Sequence, residues 1–122
     1  MIIALQDKVI KGYMDFIGVK DFIGVSNEGE AIAIAGGCWL GTKKRADVYM
    51  SADGLCNAMN FITSWVIPEN IEMNIFVSSG REEPPHKVMT DILPELLELI
   101  PYDPKKVFIK VVYKKEAFNN LQ

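Results

Sequence analysis

A chain of 122 residues, 49% of them hydrophobic, fits one domain that buries roughly two-thirds of the surface it exposes when unfolded. Its net charge of −3 and the scatter of its 13 lysines and arginines exclude the basic stripe of a nucleic-acid-binding protein. No apolar run approaches the ~20 residues of a membrane span, and Met1-Ile2-Ile3-Ala4-Leu5 lacks the charged start of a signal peptide, so a cytoplasmic protein without a membrane partner is expected.

Val9, Ile10, Tyr13, Met14 and Ile17 recur at three- and four-residue spacing and predict an amphipathic helix from Leu5 to Ile17, ended by Gly18. Asp21 to Val25 is a short apolar run that reads as a buried strand feeding the next helix, Glu28 to Thr42. After the basic turn Lys43-Lys44-Arg45, a second strand is expected over Ala46 to Met50, with Val48 and Met50 on one face. It ends at Ser51-Ala52-Asp53-Gly54. A third helix, about Asn57 to Val66, stops at Pro68, and Ile71 to Val77 follows as a strand of branched residues. Ser78 to Pro85 is loop. His86 to Ile100 is a fourth helix in which Pro94 is expected to cause a bend or a break, because proline removes a ladder donor. Val107 to Tyr113 is the last strand, and Lys114 to Gln122 is a short terminal helix or frayed end. Cys38 and Cys56 share no metal-ligand spacing and read as small hydrophobes in a reducing compartment.

Strands alternating with helices predict right-handed βαβ units, hence a single three-layer α/β/α domain over residues 1–122 with a mainly parallel sheet. Ligands of such sheets sit beyond the carboxyl ends of the strands. Asn27-Glu28, Ser51 to Gly54, and Ser78 to Arg81 should therefore cluster there.

Three segments carry a resemblance. Ser26-Asn27-Glu28-Gly29-Glu30-Ala31-Ile32-Ala33-Ile34-Ala35-Gly36-Gly37 resembles "NEG-AIAIAAG". Met50 to Ser64 is similar to "M-Q-N-S-G-L-G-N-A-V-N-P-L-T-S", keeping Met50, Gly54, Leu55, Asn57, Ala58, Asn60, Thr63 and Ser64. Glu83 to Ile100 is similar to "E-P-Q-H-K-V-M-G-x-I-T-P-E-L-L-E-L", keeping Pro84, His86, Lys87, Val88, Met89, Pro94 and Glu95. The three quoted patterns occur, in this order, in the pyrimidine-binding (PYR) domain of thiamine-diphosphate-dependent decarboxylases, which the chain therefore resembles. The nearest likeness is to the sulfopyruvate decarboxylase α subunit and phosphonopyruvate decarboxylase.

The resemblance implies a role for each matched residue. Glu28 would hydrogen-bond the cofactor's aminopyrimidine and so activate the thiazolium for decarboxylation of a small acidic 2-oxo acid. That role suits a glutamate that is protonated or shares a proton, as in a dry, apolar setting. Asn27, Gly54, Leu55 and Asn57 would flank the cofactor. His86 would protonate an intermediate or, with Arg81, hold the substrate's acidic group. The chain has no Gly-Asp-Gly motif with a paired asparagine, so the diphosphate and its magnesium would belong to a PP-type β subunit. The cofactor would then lie at the interface of a homo- or hetero-oligomer.

The departures support an alternative. Family members carry, between their first helix and the Asn-Glu-Gly segment, a strand ending in a Gly-Val-Pro turn and then another helix, where Asp21 to Val25 here runs straight into Ser26, so one βα unit is counted as absent. Ser51-Ala52-Asp53 replaces Gln-Asn-Ser, and Cys56 replaces the second glycine. A non-catalytic PYR-like structural or regulatory partner accounts for these changes. Glu28 also has a plain structural role open to it, as a first-turn acid behind an Asn27 N-cap whose capping-box partner is Glu30. A receiver-like phosphoacceptor would want an acidic pair at the end of the first strand, and only Asp21 is near.

Overall fold

The computed structural model describes residues 1–115. Five strands form one all-parallel sheet: β1 (Ile2–Ala4), β2 (Ile23–Gly24), β3 (Asp47–Ser51), β4 (Met73–Ser79) and β5 (Val107–Tyr113). Their order is β2-β1-β3-β4-β5, with Ile3 beside Ile23 and Val48, Val48 beside Ile75, and Ile75 beside Ile109. Helices α1 (Lys8–Ile17), α2 (Glu28–Thr42), α3 (Ala52–Phe61) and α4 (Lys87–Leu99) make the four crossovers. The three-layer α/β/α arrangement expected from the alternation of elements is the one observed. Of the expected terminal segment, Lys114 to Gln122, residues 116–122 lie outside the described residues.

Each strand sends alternate side chains to opposite faces. Val48, Met50, Ile75 and Val77 meet Ala31, Ile32 and Ala35 of α2, Leu55 and Ala58 of α3, and Leu93 of α4 in the larger core. On the other face Ala4, Tyr49 and Val112 meet Ile10 and Met14 of α1. Tyr49 stacks on Phe76 there, with ring centroids 4.6 Å apart. Because both faces are covered, Val48, Tyr49 and Met50 are all buried in succession, as strands of parallel sheets usually are.

Several boundaries differ from expectation. Ile2–Ala4 is a strand, paired with β2 and β3, where none was expected ahead of the first helix, while between α1 and Glu28 the chain forms β2 alone. The first helix accordingly starts at Lys8, where Asp7 caps it by accepting the Ile10 N–H at 2.8 Å. Gly18 ends it in the left-handed conformation, φ 85°. The third helix starts at Ala52, five residues before Asn57, because Ser51 is its N-cap and takes the Gly54 N–H at 3.2 Å. Gly54-Leu55-Cys56-Asn57 is therefore helix, not turn. A π-helical stretch, Ile62–Val66, continues α3 toward Pro68. Pro94 does not break α4, which runs unbroken from Lys87 to Leu99. No helix among the described residues is long and apolar enough to cross a membrane.

Candidate functional site

The strand order reverses between β1 and β3, the place where doubly wound sheets open a crevice at their carboxyl edge. Two groups of residues gather at this edge, and both lean on the first turn of α3.

Glu28 heads the first group. Asn27 has extended backbone and folds its Oδ1 back onto the Gly29 N–H at 2.7 Å, which makes Glu28 the first residue of α2. Glu30, the expected capping-box partner, is exposed and makes no such bond among the described residues. Glu28 is 7% exposed, one of few polar side chains so deeply placed. Its carboxylate lies across Gly54: a Cβ there would stand 2.0 Å from Oε2 and 2.3 Å from Cδ. Asn57, almost one turn further along α3, donates its Nδ2 to Oε1 at 3.0 Å. Among the described residues that is the carboxylate's one hydrogen-bond partner, and no fully buried side-chain oxygen lacks one, so Oε2 keeps some exposure. The helix terminus favours a negative charge at this place by about 0.3–1 kcal/mol.

Small residues bring α2 and α3 this close. The Phe61 ring would be 2.8 Å from a Cβ on Gly29, and the Trp65 ring 2.5 Å from one on Gly36. Gly29 and Gly36 of α2 thus receive the chain's own Phe61 and Trp65. Gly37 faces open space. Leu55 has no exposed surface and packs in the core, which leaves its side chain no face for a ligand.

The second group lines a small polar cleft of about 10 Å³, room for about one water, between the ends of β3 and β4, the turn after β1 and the start of α4. Ser51, Asp53, Ser78, Ser79, Arg81 and His86 all border it, as does Asp7. The His86 Nδ1 is paired with an Asp53 carboxylate oxygen. A carboxylate on Nδ1 selects the tautomer whose Nε2 is free to accept a proton, and so orients the ring. Asp7 is heavily engaged: besides capping α1, it accepts the Ser78 hydroxyl at 3.1 Å and lies 4.0 Å from Arg81 Nη1. Arg81 Nε donates to Glu83 at 2.7 Å. The Glu83 backbone N–H and the Arg81 guanidinium together hold the Glu83 carboxyl down at about 2. Thr90 of α4 anchors this loop by donating to the Arg81 carbonyl at 2.7 Å.

The clustering expected of Asn27-Glu28, Ser51 to Gly54 and Ser78 to Arg81 is therefore observed. Gly54 carries Glu28 and Asp53 holds His86 on the same turn of α3. Arg81 and His86 share one cleft, as a joint role requires. Missed from the sequence were Asp7, concealed by placing the helix start at Leu5, and the Asp53–His86 pair, which joins residues 33 positions apart. The signal for Asp7 was present: an aspartate three residues ahead of Ile10 at the head of an apolar periodicity.

No family model matches this chain, and no curated protein matches it at a significant level.

Proposed function

We propose that this chain is the PYR-type subunit of a cytoplasmic thiamine-diphosphate-dependent 2-oxo acid decarboxylase of the sulfopyruvate or phosphonopyruvate kind. The observation that carries this is Glu28: a nearly buried carboxylate at a helix terminus, with Oε1 held by Asn57 and Oε2 left for an incoming group. The residues fit the cofactor's pyrimidine in this respect. Gly54 gives the carboxylate its room, Asn57 fixes its plane, and Oε2 would share a proton with a ring nitrogen. When bound, thiamine diphosphate supplies the electron sink for loss of carbon dioxide. His86, oriented by Asp53, would hold or deliver a proton at Nε2, and the Arg81 guanidinium would face the substrate's acidic end. The diphosphate and magnesium would be held by a PP-type β subunit.

The alternative, a non-catalytic PYR-like structural or regulatory partner, draws on the same contact. Glu28 fills the space over Gly54 and bonds Asn57, so it also serves as packing between α2 and α3.

Copurification from the native host, followed by assay of the complex, tests the proposal. Recovery of a subunit with a Gly-Asp-Gly motif and a paired asparagine, together with carbon dioxide release from sulfopyruvate or phosphonopyruvate, is the expected result. Recovery of self-associated chains alone, with no turnover, would favour the non-catalytic alternative.

A further inference from the structure

At the opposite, amino-terminal edge of the sheet, a second cavity of about 110 Å³ lies between the turn that follows the π-helical stretch and the lead-in to β5. Ile67, Pro101 and Val107 supply an apolar side, and Asn70, Asp103 and Lys106 supply the polar groups.

The local backbone places these groups deliberately. The π-helical stretch ends with the Ile67 N–H on the Ile62 carbonyl at 3.0 Å, and Asn70 then adopts the left-handed conformation, φ 54°. π-helical turns are rare and often mark functional places, and a left-handed asparagine is an ordinary helix terminator. Asn70 does more than terminate: its Oδ1 accepts Lys106 Nζ at 2.8 Å across the mouth of the cavity. On the β5 side, a tight turn puts the Lys106 N–H on the Asp103 carbonyl at 2.9 Å, so the Asp103 and Lys106 side chains leave neighbouring corners of one turn. Asp103 Oδ1 accepts the Lys105 N–H at 2.9 Å, which leaves Oδ2 for another donor. Among the described residues no ion pair joins Asp103 to Lys106, although both border the same cavity.

A carboxylate and an ammonium that share a cavity without neutralising each other, beside an apolar wall, match a ligand with the reverse arrangement. We propose that this cavity binds a small aliphatic α-amino acid. Its ammonium would meet Asp103 Oδ2, its carboxylate would meet Lys106 Nζ, and its side chain would lie on Ile67, Pro101 and Val107. The site is built from a different edge of the sheet than Glu28 and His86, so it would act as an effector site rather than a reaction centre.

Titration of the uniformly ¹⁵N-labelled chain with L-leucine and L-valine, followed by amide shifts, tests this directly. Saturable shifts centred on Ile67, Asn70 and Val107 are expected. Isovalerate, which lacks the ammonium, and isoamylamine, which lacks the carboxylate, should bind about tenfold or more weakly, because each leaves one charged group unmatched. Lys106→Met and Asp103→Asn should each weaken leucine binding by a similar factor while leaving the rest of the spectrum in place. Absence of saturable shifts, shifts centred elsewhere, equal binding of isovalerate, or wild-type affinity in both variants would each overturn the proposal.

Discussion

Replacing Gly54 with alanine isolates the contact on which the site is built. A Cβ at this position would stand 2.0 Å from Glu28 Oε2 and 2.5 Å from Cγ, so the whole end of the Glu28 side chain must move. Overpacking of this kind costs about 1–3 kcal/mol. Against it, alanine is favoured over glycine in a helix by up to about 1 kcal/mol. The net expectation for Gly54→Ala alone is a loss of about 1–2 kcal/mol, with the Asn57–Glu28 bond broken. In a Glu28→Ala background the obstruction is gone, so the same substitution should become neutral or stabilising by up to about 1 kcal/mol. The change of sign is the critical feature, and a double-mutant cycle by urea unfolding reads it as a coupling of about 1–3 kcal/mol. Effects that add to within about 0.5 kcal/mol would mean that Glu28 does not lie on Gly54, and the site as described would fall with that contact.

Neighbouring glycines of α2 should respond in opposite directions. Gly36→Ala drives a methyl to within 2.5 Å of the Trp65 ring and should lose about 1–3 kcal/mol, whereas Gly37→Ala meets nothing within 4 Å and should gain up to about 1 kcal/mol in the same unfolding assay. Asp7→Ala removes the α1 cap and the acceptor of the Ser78 hydroxyl, with an expected loss of about 1–2 kcal/mol, while Asp7→Asn, which keeps a capping oxygen, should lose clearly less on thermal or urea unfolding. Burial and the nearby Asp47 and Tyr13 push the Tyr49 hydroxyl up to about 12 from its ordinary 10. Folding therefore favours its neutral form: the contribution is complete below pH 10 and is lost as pH rises toward 12, so Tyr49→Phe should flatten the stability profile across that window.

How much of this was legible beforehand depended on whether the signal was local. The bounds of α2 and β5 were readable residue for residue, since Asn27 is a strong cap and the branched run Val107 to Tyr113 has no competing period. β1 was not, because three residues, Ile2 to Ala4, carry no period of their own; pairing with β2 on one side and β3 on the other makes them a strand. The start of α3 was misplaced because Gly54 looks like a turn residue. Its smallness in fact accommodates the Glu28 side chain from α2, a tertiary reason that no local pattern carries. Likewise His86 stood out as the sole histidine, but its partner Asp53 emerged only when β3 and β4 lay side by side and brought their carboxyl ends together.

Carbon dioxide release by the assembled complex, compared between wild type and Glu28→Gln, tests the central claim most directly. Glutamine keeps the shape over Gly54 and can still bond Asn57, but it cannot share a proton at Oε2. Turnover should fall at least about 10²-fold, the usual worth of a positioned acid–base group, with assembly and stability of the complex unchanged. Wild-type turnover in a correctly assembled Glu28→Gln complex would contradict the claim and leave Glu28 as packing between two helices.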